Sequence, residues 1–120
     1  MKRLKKGCYN RLAAAHNLTR SSISKWPQER RVRELALLDA GATPAIANRL
    51  AELQKLCYQA SVLTKNPVTL HSHGSYHFNV YSSNGDQYVD VFRTELTTVE
   101  NLDAAIERVK GLINEVFAVD

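Results

Sequence analysis

The chain has 120 residues, 44% of them apolar and 23% charged, values that suit a globular protein of about one domain and exclude predominant disorder. No run approaches the ~18 consecutive apolar residues that span a bilayer, and the opening MKRLKKGCYNRL lacks the apolar centre of an export signal, so a cytoplasmic protein without a membrane segment is expected. The net charge of +4 is unevenly spread: residues 1–34 hold ten Lys and Arg against Glu29 and Glu34, whereas acids outnumber bases in the rest, a distribution that draws polyanions to one end.

Tyr9, Leu12, Ala13 and His16 recur at spacings of three and four, which predicts a short amphipathic helix ending at Asn17. Asn enters the left-handed region at low cost, so a tight turn is expected there, with Leu18 pointing inward. Thr19 then caps a second helix in which Ser22, Ile23 and Trp26 share one face, and Pro27 suits the end of that helix or the first turn of the next. A third helix over 28–39 carries Val32, Leu35, Ala36, Leu37 and Leu38 on its apolar side and stops at Gly41. Thr43 and Pro44 restart a helix as cap and first residue. It runs to about Leu63 with Ile46, Leu50, Leu53, Cys57 and Ala60 in a two-heptad seam, which fits either a dimer contact or a core-facing stripe within one subunit.

After the linker TKNP, residues 64–67, the period changes from helical to alternating. Asn84-Gly85 is the dipeptide that a two-residue hairpin turn prefers. Centring the turn there pairs Val80 with Val89 and Phe78 with Val91 on one face, and Tyr81 with Tyr88 and Asn79 with Asp90 on the other. Val68–His71 offers a third, short strand. Thr97 and Glu100 then form a capping box for a final helix of about five turns with Leu102, Ala105, Ile106, Val109, Ile113 and Val116 as its stripe. The expected fold is therefore α+β: a helical N-terminal half over 1–63, then an antiparallel hairpin of two or three strands and an amphipathic helix over 68–120, the latter half serving self-association.

The stretch AAAHNLTRSSISKW joins two short helices by a tight turn, the second one polar outside and anchored inside by Ile23 and Trp26. Over about twenty residues it resembles the helix-turn-helix unit of phage regulators of the Cro, CI and CII families, with Ala13, Asn17, Ile23 and Trp26 at the packing, turn and anchor positions and ISKW matching their V/I-S-x-W ending. Two positions depart from that pattern: Asn17 stands where Gly is usual, and His16 where an apolar residue is common. The support helix that ordinarily precedes the unit is not seen, so the helices at 28–39 and 44–63 are expected to brace it.

The resemblance implies that the second helix reads a major groove. Its outward residues are then Thr19, Arg20, Ser21, Ser24 and Lys25, with Gln28 just beyond, side chains of the types that bond base edges. Lys2, Arg3, Lys5, Lys6, Arg11, Arg30 and Arg31 are placed to bind phosphates on either side, with Arg33 next to them, and no acid lies between residues 1 and 28. A dimer on a palindromic duplex operator is the functional expectation, since one short helix makes few base contacts. The alternative is a small phage-encoded inhibitor or interaction protein with only non-specific DNA affinity.

Other chemistries find little footing. HSHGSYH gathers His71, His73 and His77, and a strand would put His71 and His73 on one side, but no Cys or carboxylate completes a familiar metal spacing, so exposed turn histidines are the preferred reading. Cys8 and Cys57 lack CxxC spacing and are read as reduced thiols. No nucleophile elbow, phosphate-binding glycine loop, HExxH or paired carboxylates occur, so neither an enzyme nor a cofactor or small-molecule ligand is expected. The hairpin aromatics form no RNP pattern and stand among Asn79, Asp86 and Asp90, which disfavours a sheet-face RNA reader.

Overall fold

The computed structural model describes residues 6–73, 77–84 and 87–118. Four helices, α1 (Lys6–His16), α2 (Arg20–Ser24), α3 (Gln28–Asp39) and α4 (Pro44–Thr64), precede three strands, β1 (Val68–Ser72), β2 (Phe78–Asn84) and β3 (Gln87–Thr94), and a last helix, α5 (Val99–Val116). The architecture is α+β, with one antiparallel sheet in the order β1-β2-β3. No helix among the described residues is long and apolar enough to cross a membrane.

The chain divides into two compact units, Met1–Ala45 and Ile46–Asp120. The expected division after residue 63 is thus moved to the start of α4. The reason is packing: Leu53, Leu56, Cys57 and Ala60 of α4 are buried in one cluster with Val68, Phe78, Val80, Leu102, Ala105, Ile106 and Val109, and Ile46 and Leu50 lie against it. The heptad seam is therefore the inner stripe of the second unit, and it is filled by the chain's own sheet and α5 rather than left for a dimer partner.

Each helix starts and stops for local reasons. Helices α1 and α3 end in the same device, a left-handed residue whose neighbour bonds back across the last turn. Asn17 (φ 55°) lets Leu18 N–H reach the Ala13 carbonyl at 2.9 Å, and Gly41 (φ 87°) lets Ala42 N–H reach that of Leu37 at 2.8 Å. Leu18, however, is 45% exposed, because in this motif the residue after the turn packs only along the helix end and not into the core. The N-cap of α5 is Thr98, whose hydroxyl accepts from Asn101 N–H at 3.2 Å, one residue later than expected, and Thr97 is instead buried. The α5 stripe runs from Leu102 to Val109 in the core, while Val116 is exposed. Helix α4 is tied to β1 by Ser61, which accepts from Val68 N–H and donates to the Cys57 carbonyl, both at 2.8 Å.

The hairpin register differs from expectation by two residues at its tip. Asn84 pairs with Gln87, Ser82 with Val89 and Tyr81 with Asp90, so the residues between the paired ends are Gly85 and Asp86, which lie outside the described residues. A bulge follows: Val80 pairs with Phe92 and Phe78 with Thr94, leaving Val91 as an extra residue on β3. The bulge brings both Val91 and Phe92 to the core side, where the Phe92 ring stacks on Phe78 with centroids 5.7 Å apart. Alternation of apolar residues alone rewarded Val opposite Val; the aromatic pair outweighs it. Tyr81 and Tyr88 still meet, as diagonal neighbours with centroids 5.6 Å apart.

Candidate nucleic-acid interface

The segment from α1 through α3 holds the residues expected to meet DNA. Its small core is Leu12, Ala13 and Ile23, with Tyr9, Trp26, Leu35 and Leu38 packed around them. Ile23 is wholly buried, so the opposite side of α2 faces outward and carries Arg20, Ser21 and Ser24, followed by Lys25, all exposed. Thr19 begins α2 as its N-cap, accepting from Ser22 N–H at 3.2 Å and lying within 3.1 Å of the hydroxyls of Ser21 and Ser22. Its oxygen is thereby engaged in holding the helix, which leaves Arg20, Ser21, Ser24 and Lys25 as the outward group. The Ser24 hydroxyl turns back to the carbonyls of Arg20 and Ser21, so its rotor must swing to meet any ligand.

Three of the expected contacts have other work. Arg31 is half-buried and its guanidinium donates to the carbonyls of Ile23, Ser24 and Trp26 at 3.2, 3.1 and 2.5 Å, closing the open end of α2. Its second amino group donates to the Gln28 side-chain oxygen at 2.8 Å. Arg31 is therefore a cap on the chain's own backbone, and the Gln28 side-chain oxygen is engaged by it. Arg11 is paired with Asp39, whose hydrogen bond and then whose charge raise the arginine's pKa further above its ordinary value. Sequence reasoning missed both roles, because the carbonyls that Arg31 meets carry no side-chain signature and Asp39 is 28 residues from Arg11.

Arg30 is exposed and its guanidinium carbon lies over the Trp26 indole, 3.8 Å from the ring centroid. A cation–π contact of this kind restrains the arginine without using its N–H donors. His16 meets the same indole edge-on at 5.0 Å and stands 3.5 Å from a carboxylate oxygen of Glu34. Lys6 is the first residue of α1, whereas Lys2, Arg3 and Lys5 lie outside the described residues.

The second unit holds one further cluster of chemistry-bearing side chains. The His71 and His73 ring nitrogens Nε2 are 2.6 Å apart, and the His73 ring lies against His77 with centroids 4.4 Å apart. Loss of water around His73 and the charges of His71 and His77 lower its pKa from the ordinary imidazole value. Among the described residues no three or more His, Cys, Asp and Glu side chains are arranged to hold a metal ion. Cys8 and Cys57 are both free thiols, and burial pushes the Cys57 thiol up to about 11. Comparison of the chain with protein-family models, with curated proteins and with solved structures matches none of them.

Proposed function

We propose that the chain is a sequence-specific duplex DNA-binding regulator of phage or mobile-element type, in which α1, the Asn17 turn and α2 act as a helix-turn-helix and two copies act together on an inverted repeat. The observation that carries the reading is the division of α2 into two sides: Ile23 buried beneath it, and Arg20, Ser21, Ser24 and Lys25 exposed above, in a stretch without an acid before residue 29. Arg20 is suited to a bidentate contact with guanine and Lys25 to a base edge or phosphate, each good bidentate pair being worth about 1–3 kcal/mol of discrimination. Arg30, held on Trp26, and Arg33 supply the flanking phosphate contacts. A five-residue helix reaches few bases, so the second copy is part of the proposal.

Selection from a random duplex library at physiological salt tests this. The expected product is an inverted repeat with half-sites about one helical turn apart, and Arg20→Ala together with Lys25→Ala should abolish the enrichment. The interaction-protein reading gains weight from the withdrawal of Arg11 and Arg31 into internal pairs, which shrinks the free basic surface. That reading requires no enrichment, and weak binding that falls steeply with salt whether or not Arg20 is present.

A further inference from the structure

The register of β1 on β2 sets three histidines at one end of the sheet. The ladder pairs Ser72 with Phe78 and His71 with Asn79. It continues one step further, with His73 N–H donating to the His77 carbonyl at 2.9 Å. Val68 and Leu70 of β1 pack into or against the core, so by the two-residue period of a strand Thr69, His71 and His73 lie on the other face. His77 and Asn79 stand opposite His73 and His71 on that same open face. His71 and His73 are both exposed.

We propose that His71 and His73 form a chelating site for a divalent transition-metal ion of the imidazole-binding class, Cu2+, Ni2+ or Zn2+, independent of the DNA-binding reading. Two imidazole nitrogens at 2.6 Å are held together by a single proton, one ring donating and the other accepting. A metal ion takes the place of that hydrogen bond: the donating ring exchanges its Nε2 proton for one on Nδ1 through water, so that both neutral rings turn an Nε2 lone pair to the ion. With metal–nitrogen bonds of about 2.0–2.1 Å and an angle at the metal between square and tetrahedral, the two nitrogens sit about 2.9–3.4 Å apart. The pair must therefore open by well under 1 Å, which a small rotation of two exposed rings provides without moving the strand. The backbone thus already brings both nitrogens to one ion, while water fills the remaining positions. Imidazole donors select this class over Mg2+ and Ca2+, which take oxygen ligands. The cations nearest in the ladder do not block it: Arg93 is paired beyond Asn79, one strand further from His71.

Titration calorimetry of the full chain with Ni2+ alone at neutral pH tests the site. One equivalent is expected to bind, and His71→Ala or His73→Ala should each weaken it at least about tenfold, since each removes one arm of the chelate. His16→Ala, in the other unit, should leave binding unchanged. In the unaltered chain, paramagnetic Ni2+ should broaden the imidazole proton signals of His71 and His73 before that of His16, a reading that needs no variant to fold. Binding that survives both substitutions, broadening centred on His16, or no binding at all would each overturn the proposal.

Discussion

Among the described residues the second unit buries eleven side chains in one cluster, while the first buries only Leu12, Ala13 and Ile23. The difference is made up by directional bonds. The first unit has the Asn17 and Gly41 turns, the Thr19 cap, the Arg31 clamp on three carbonyls and Arg30 stacked on Trp26. The second has a continuous layer of sheet and helix in which burial, at about 25 cal/mol per Å² of apolar surface, does most of the holding. A unit with so small a core depends on single polar side chains, and a unit with a broad core depends on its volume being filled.

Substitutions can break that contrast. The largest effect is expected from Phe78→Ala, which empties the centre of the second unit and removes the stacked partner of Phe92; urea denaturation followed by circular dichroism should show a loss of about 3–5 kcal/mol. A loss below about 1 kcal/mol would mean that this core is not what holds the sheet. Next comes Arg31→Ala, expected to cost about 2 kcal/mol by removing a charged donor from the carbonyls of Trp26, Ser24 and Ile23, of which Ile23 keeps the Trp26 N–H. Its effect should be read from the fluorescence of Trp26, the chain's sole tryptophan, and Arg31→Lys should rescue little because an ammonium cannot span the same carbonyls.

A pH titration sharpens the comparison from the other side. The Cys57 thiol is raised by burial from 9.0 to about 11, so the unfolded chain releases this proton first. Its contribution is fully present below pH 9.0, is lost progressively as pH rises towards about 11, and should vanish in Cys57→Ala. Circular dichroism should report that loss, on the order of 2 kcal/mol. The smallest effects belong to the caps. Thr19→Ala and Thr98→Ala should each cost about 1 kcal/mol, but the former should shift the Trp26 signal and the latter should not. Equal shifts would show that the two units unfold as one.

Much of this fold is legible in the residues. The stripes of α1, α2 and α4, the left-handed turn at Asn17, the stop at Gly41 and the strands follow from local period and backbone preference, whereas on α3 only Leu35 and Leu38 turn inward and Val32, Ala36 and Leu37, expected on its apolar side, are exposed. What is not legible depends on partners outside the local window. A stripe such as Leu53, Cys57 and Ala60 states that one side of α4 is buried but not against what, so the membership of α4 in the second compact unit is not legible from it. The bulge at Val91 costs little locally and is decided by the meeting of Phe78 with Phe92. In the candidate interface, the exposure of Arg20, Ser21, Ser24 and Lys25 follows from the position of Ile23, whereas the capture of Arg31 by backbone oxygens and of Arg11 by Asp39 leaves no mark on composition or spacing.

The extra residue in β3 also bears on how the molecule behaves in a crowd. Among the described residues strand β3 is an edge, with Tyr88 and Val89 exposed and, of its backbone groups, the Val91 carbonyl met by Arg108 Nε at 3.4 Å. A flat edge of that kind is a template for uncontrolled growth of sheet from one molecule to the next. The unpaired Val91 kinks and over-twists the strand near its middle, so an incoming strand finds matched donors and acceptors for only a few residues on either side. The irregularity that obscures the register from the sequence is thus of the kind that disfavours strand addition at an edge, and removing Val91 is expected to trade a simpler ladder for a stickier one.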